Sequence, residues 1–285
     1  MLEKQTFLIT AAASFLLISA VSGRVSARSP QCDTLSGQNA ILAKELLGTI
    51  NAYGPCRDTI AKCIDKKKPD PLAVRLADNI CRHIKDGESG KKIRKRIALR
   101  VRSMDLTVSK ASIDLSGFPA AGSSDAGVTV VVYACSRCPF CAKLVPELYK
   151  SVTSGKLKGR VKLYFKPFPL KSHQYSKEGG LAITTALKLG HYWQYILYMY
   201  SHFQLFGVDK LAVWAVETGM DGSRFTEIMN SPEVRKKLVL SKKEGLANDV
   251  HATPSLFING RRYKGFLDIY EIGDILEEES LRSSR

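Results

Sequence analysis

Past residue 27 the chain has no apolar run near the ~20 residues that a bilayer span requires, so nothing beyond that point reads as a membrane helix. Acid is short: 27 Asp and Glu stand against 43 Lys and Arg, a formal net charge of +16. No cysteine follows position 141. The run Cys135, Cys138, Cys141 lacks the fourth cysteine and trailing proline that a cluster-binding run carries, which argues against an iron–sulfur centre. Zinc held by Cys135 and His251 is an equally poor fit, and no metal is expected. Ser29-Pro30-Gln31 before Cys32 is not a lipid-attachment pattern. A hydrophobic content of 45% and an aromatic content of 8% are ordinary for a globular protein, and 285 residues leave room for one large or two modest domains.

What is present is a Cys138-Pro139-Phe140-Cys141 motif where an apolar strand, Val128 to Tyr133, runs into a helix. Two intervening residues let the sulfurs close as a disulfide on the first helical turn, or open as a dithiol, with little backbone movement. Pro139 suits the first helical position, where its missing N–H costs nothing. The free N–H groups of that turn and the positive end of the helix dipole face an exposed Cys138 sulfur. Such sites bring a cysteine pKa down from about 8.5 to roughly 3.5–7.5, and thiolate is the attacking species in disulfide exchange. The motif by itself also fits a structural disulfide or half a metal site.

The downstream sequence decides between these. Val250 to Pro254, with Thr253 before the proline, precedes a strand at Ser255 to Ile258; Asn259-Gly260 reads as a hairpin turn, Arg261 to Lys264 as a second strand, and a helix follows with Ile269, Ile272 and Leu276 on one face. This order resembles the thioredoxin fold, which implies a cis Pro254 beside the sulfurs and a Thr253 backbone free to pair with a substrate peptide. About 110 residues separate Cys141 from Pro254, and most read as helices. Tyr192, Ile196, Met199, Tyr200 and Phe203 recur at helical spacing between His191 and Phe206, while Asp209 and Ser231-Pro232 mark helix starts. Residues 161–170 with His173, and the run from Ile113 through Gly127 into the motif, resemble DsbA-like proteins, a likeness covering residues 104–279. It implies a periplasmic thiol–disulfide oxidoreductase: α/β, a thioredoxin fold with a helical domain inserted at about 171–248, preceded by a small all-helical domain. Two departures leave its direction open. Cys135-Ser136 stands where relatives often carry an acidic or aromatic pair, and Thr253 stands where strongly oxidising relatives often have Val. Cys135 reads as a buried small hydrophobe or a further thiol near the site. His173 and His251 read as satisfied or surface histidines, with tuning of the thiolate by His251 as the alternative.

Residues 1–27 read as a signal peptide. Phe7 to Val21 is apolar apart from Thr10, Ser14 and Ser19, and Val25-Ser26-Ala27 fits small-x-small cleavage, with an uncleaved anchor as the alternative. Export puts the chain where disulfides persist. Lys66-Lys67-Lys68 and the basic run from Lys91 to Arg102 then point to an anionic membrane surface or acidic clients, or to a solvated helix face, and not to nucleic acid.

Residues 28–103 read as a helical unit. Leu42, Leu46 and Ile50 line one helix, Pro55-Cys56 begins a short second one, Asp70-Pro71 starts a third and Ser89 caps a fourth, whose stripe Ile93, Ile97, Val101 and Met104 leaves the charges outside. Asp105 to Asp114 reads as the first strand of the next domain. Residues 55–61 and 84–93 resemble the three-helix domain of CcmH, a thiol reductant of cytochrome c maturation, although its Cys-x-x-Cys is absent. Cys56 and Cys63 are seven apart, about 10 Å on a continuous helix, whereas direct bonding needs Cα atoms within about 7 Å. Either the helix breaks or each pairs elsewhere. Two structural disulfides are expected among Cys32, Cys56, Cys63 and Cys81, in one of three connectivities; a second redox pair is the alternative.

The resulting expectation is a protein-disulfide oxidoreductase. Cys138 forms the mixed disulfide with client proteins and Cys141 resolves it; Thr253 and Pro254 bind the client, and Pro139 and Phe140 tune the couple. No cofactor is needed, and a membrane redox partner regenerates the active form. A DsbA-like oxidase leads, with a reductase or isomerase, including one for cytochrome c maturation, as the alternative. The intact cysteine pair argues against a non-catalytic chaperone or binding module.

Overall fold

The computed structural model describes residues 29–283, so the expected signal peptide lies outside the described residues. The first part of the chain is helical: α1 Pro30–Asp33, α2 Gly37–Thr49, α3 Ile60–Ile64, α4 Pro71–Lys85 and α5 Gly90–Met104. Caps start the last two as the sequence suggests. The Asp70 carboxylate accepts the N–H groups of Leu72 and Ala73, and the Ser89 hydroxyl accepts that of Lys92. Leu46, Leu47, Ile60, Leu76, Ile80, Ile84, Ile93 and Ile97 bury together as the core of this unit.

Cys32 pairs with Cys81, and Cys56 with Cys63. The second pairing is possible because no helix begins at Pro55-Cys56. Arg57 takes a left-handed φ of 51°, and Thr59, not Cys56, caps the helix by accepting the Lys62 N–H. That break brings the Cys56 and Cys63 Cα atoms to 6.0 Å.

The rest of the chain runs β1 Val128–Ala134, α6 Pro139–Thr153, β2 Val161–Pro167, α7 Ser176–Lys188, α8 Tyr192–Ser201, α9 Lys210–Glu217, α10 Gly222–Met229, α11 Pro232–Ala247, β3 Ser255–Ile258, β4 Arg261–Arg262 and α12 Ile269–Ser283. The sheet order is β2-β1-β3-β4, with β1 parallel to β2 and antiparallel to β3. This is a thioredoxin-like fold with a helical insert between β2 and β3. Strand β1 is covered on both faces. Val128, Val130 and Val132 pack into the main core, while Val131 and Tyr133 pack with Phe168, Val250 and Phe257 on the other side, the period of two that a strand imposes.

Three expectations are corrected. Asp105 to Asp114 forms no strand: Asp105 turns the chain by accepting the Thr107 N–H, and the segment's backbone bond to the sheet's hairpin is a single one, Ala111 N–H to Gly260 O at 2.8 Å. The second hairpin strand is two residues long, followed by one further bond from Tyr263 N–H to Leu256 O. Nor does the basic helix α5 keep its charges outside. Arg96 and Arg100 are buried and donate to α12, Arg96 to Glu271 at 2.8 Å and Arg100 to Asp274 and Glu278 at 2.5 and 2.9 Å. Arg100 Nε also donates to the Tyr53 hydroxyl, which donates to Glu278 at 2.6 Å. Arg75 on α4 adds an ion pair to Glu277 at 3.1 Å. The helical unit is therefore tied to the sheet-bearing part through α12, and Val101 sits at 37% exposure instead of in the stripe.

Candidate redox site

The site forms where β1 ends. Cys135 follows Ala134 and closes a turn, with the Cys138 N–H donating to Cys135 O at 3.2 Å. Cys138 is the N-cap of α6 in extended conformation, Pro139 takes the first helical position, and Cys141 lies one turn in, fully buried. Strand β3 brings the other wall. Tyr133 pairs with Ser255 in antiparallel register, so the two residues before Ser255 run alongside the turn after β1. The Thr253–Pro254 bond is cis, and Cys138 Sγ donates to Thr253 O at 3.2 Å. Cys138, Cys141, Thr253 and Pro254, expected together from sequence, meet here.

The two motif thiols have opposite acidities. Cys138 is lowered to about 5, first because the Cys141 thiol hydrogen-bonds to its sulfur; burial opposes the shift, and the Thr253 hydroxyl and the N–H groups of Cys141 and Phe140 add to it. Burial, then the same contact in reverse, pushes the Cys141 thiol well above the ordinary thiol value. Thr253 is buried, and its side chain favours the thiolate form at both sulfurs. At neutral pH the pair is a thiolate beside a thiol, able to attack a disulfide sulfur and to close a disulfide of its own.

One expectation fails: Cys138 is not exposed. Its exposure is 2%, because the turn and the Thr253 carbonyl cover it, and Phe140 projects instead at 66%. Cys135 is buried with a raised pKa caused by that burial. Its sulfur lies 3.4 Å from His173 Nδ1, while His251 is exposed and pairs with Asp249 at 2.8 Å, away from any thiol.

Sequence reasoning did not assign site roles to Ser136, Arg137, Gly179 or Tyr200. The Tyr200 hydroxyl donates to Cys135 O at 3.1 Å. The Arg137 guanidinium lies 5.0 and 4.5 Å from the Phe203 and Phe206 rings and donates to Phe203 O, fastening the insert to the site turn. Ser136 approaches α7 so closely that a Cβ at Gly179 would sit 2.3 Å from its Oγ. Only the apolar spacing of the α8 helix gave a signal, and only for Tyr200. A cleft of about 390 Å³ lined by Pro139, Ala142, Tyr200, Phe203 and Leu205 opens beside the motif. A larger one, about 1140 Å³, lies away from it where α4, α5 and α12 meet.

A family model described as Thioredoxin matches residues 116–278. The chain is 25% identical over 158 residues to a Na(+)/H(+) antiporter NhaA of Herminiimonas arsenicoxydans, covering 55% of this chain and 24% of that protein. With the Na(+)/H(+) antiporter NhaA 3 of Salinispora tropica it shares 28% over 148 residues, 50% of this chain and 22% of that one. It thus spans about a quarter of the length of these curated relatives. Among solved structures, oxidised BdbD from Bacillus subtilis superposes with a TM-score of 0.54 at 21% identity, over 60% of this chain and 97% of that one. The catalytic domain of Proteus mirabilis ScsC superposes with a TM-score of 0.50 at 17% identity, over 66% and 98%. Both share the fold.

Proposed function

The chain belongs to the thioredoxin family, and from that premise we propose that it is an exported, DsbA-like thiol–disulfide oxidoreductase working as an oxidase. The observation that carries this reading is the geometry of the pair: Cys138 caps α6 within 3.2 Å of Thr253 O and Cys141 lies buried one turn in, with the Cys138 thiol pKa lowered and that of Cys141 raised. In the oxidised protein a client thiolate attacks Cys138 Sγ. The S–S bond breaks, Cys141 leaves and takes a proton, and a client–Cys138 mixed disulfide forms. A second client thiolate then attacks the client sulfur and expels Cys138 as a thiolate. Because a site that stabilises the Cys138 thiolate stabilises the reduced protein, it makes the disulfide the stronger oxidant. The Thr253 backbone pairs with the client peptide, Pro139 and Phe140 adjust the couple, and the protein needs no cofactor.

Oxidation of clients consumes the disulfide, so a membrane redox partner in the periplasm restores it. Exposed Lys67, Lys68, Lys91 and Lys95 favour acidic clients or an anionic membrane surface. The ion transport in the relatives' names is not carried over: the likeness spans a quarter of them, and no described helix is long and apolar enough to cross a membrane. Thr253 favours a second reading, a reductase or isomerase, because threonine before the proline resembles such relatives more than strongly oxidising ones. The domain division at residues 103/104 belongs to the same proposal, the helical unit being a separate module docked on α12.

The deciding experiment is equilibration of the Cys138–Cys141 couple against glutathione. A reduction potential near about −120 mV supports the oxidase, and one near about −270 mV the reductase. Failure of the two cysteines to titrate as one couple would overturn both readings.

A further inference from the structure

The two disulfides of the helical unit differ in loop length, in the exposure of one cysteine and in the charge beside it. Cys32–Cys81 closes a sequence separation of 49, with Cys81 fully buried and Cys32 at 9% exposure, and Ser29 Oγ donates to Cys32 Sγ at 3.0 Å. Cys56–Cys63 closes a separation of only seven, so its chain-entropy contribution is the smaller. Cys63 is fully buried, but Cys56 is partly exposed on a loop outside any helix. Lys66 Nζ donates to Cys56 Sγ at 3.0 Å. The surrounding chain is basic, with Arg57, Lys62, Lys66, Lys67 and Lys68 all exposed; of the nearby acids, Asp58 is paired with Lys62 at 3.2 Å and Asp65 is exposed. A partly exposed cysteine beside a cation, joined to a buried one, gives this disulfide a side that an external thiolate can attack and a side that leaves into the core.

From this geometry we infer that Cys56–Cys63 is a second, independent thiol-exchange site, which accepts electrons from external thiols carried on anionic molecules or acidic protein surfaces. An external thiolate attacks Cys56 Sγ, the S–S bond breaks, and Cys63 leaves and takes a proton from water. A second external thiolate attacks the external sulfur of the mixed disulfide and expels Cys56 as a thiolate beside Lys66. Two thiols become one disulfide; the protein gains two electrons and one proton, on Cys63, and the second proton goes to solvent.

The two couples cannot exchange with each other inside one molecule. The Cys56 loop borders α12 near its end, where Glu278 accepts from the Tyr53 hydroxyl and Leu281 faces the same cleft as Pro55 and Arg57. Ser283, at that end of α12, packs against Gly127, just before β1. Cys138 follows the other end of β1, a strand of seven residues, about 20 Å away. Each couple therefore meets its own partner, or that of a second molecule.

The test uses the full-length protein with the motif couple removed by Cys138→Ala and Cys141→Ala, so that its outcome is independent of the oxidase reading. The oxidised protein is exposed to reduced glutathione, an anionic thiol, or to cysteamine, a cationic one, at equal thiolate concentration, and quenched samples are mapped by mass spectrometry. The expected result is glutathione on Cys56 at least tenfold faster than any opening of Cys32–Cys81, a several-fold preference for glutathione over cysteamine, and a loss of threefold or more in rate for Lys66→Met, an exposed substitution. Opening of both disulfides together only on unfolding, adduct on Cys63, or an unchanged rate in Lys66→Met would overturn the inference.

Discussion

All four cysteines of residues 29–104 are paired, whereas all three of residues 105–283 are thiols. Burial alone does not separate them, since Cys81 and Cys141 are both fully buried. The separation comes from what surrounds the sulfur. Cys32 and Cys81 join α1 to α4 within the apolar core of the helical unit. Cys138 sits where helix N–H groups and a neighbouring thiol converge, and its pKa falls to about 5. The contrast between Cys32–Cys81 and Cys138 follows from their surroundings: one pair is enclosed among apolar side chains, while the other sulfur meets the N–H groups of a helix start.

The sharpest way to break that contrast is at the reagent. Cys138→Ala is expected to lower disulfide exchange with a model client by a thousandfold or more. Cys141→Ala is expected to leave clients trapped as mixed disulfides, visible as adducts on non-reducing gels. The opposite assignment, trapping by Cys138→Ala, would reverse the roles.

Next in size is the junction between the halves. Arg100→Ala strips a fully buried guanidinium from Asp274, Glu278 and Tyr53, leaving acids uncompensated, and should cost roughly 3–5 kcal/mol in denaturant unfolding. The staple follows: Cys32→Ala with Cys81→Ala should cost roughly 2–4 kcal/mol while leaving exchange at Cys138 unchanged. If that variant lost exchange, the two halves would not be separable.

The last contrast is with pH. Cys138 titrates at about 5 in the folded dithiol and near the ordinary thiol value once unfolded. Between these the unfolded chain holds the extra proton, so the reduced protein gains stability as pH rises through that window and loses it as pH falls through about 5. Thiolate absorbance should therefore rise through about pH 5 in the native protein and not in Cys138→Ala, with Cys135 and Cys141 contributing only in alkali.

Much of the site was legible because its chemistry is local. The Cys138 N-cap, Pro139 at the first helical position and the strand ahead of them lie within a few residues of one another, and Thr253-Pro254 adjoined a recognisable hairpin. What sequence missed is non-local. Arg137 held between Phe203 and Phe206, Tyr200 on the Cys135 carbonyl, and Gly179 against Ser136 all join residues more than 40 positions apart. The basic helix misled for the same reason: its periodicity assigns Arg96 and Arg100 to solvent, and the acidic face of α12 that buries them is 170 or more residues away.

Sequence by itself determined the βα motif, the hairpin and final helix, the helical insert and the place of the Cys138–Cys141 pair at a helix start, because capping, strand alternation and two-residue spacing act over a few bonds. Tertiary structure decided which cysteines pair, how far Cys138 is covered, and which arginines are buried. Those outcomes depend on which distant group arrives beside a sulfur or a charge, and in a low-dielectric interior the identity of that neighbour sets its protonation and its cost.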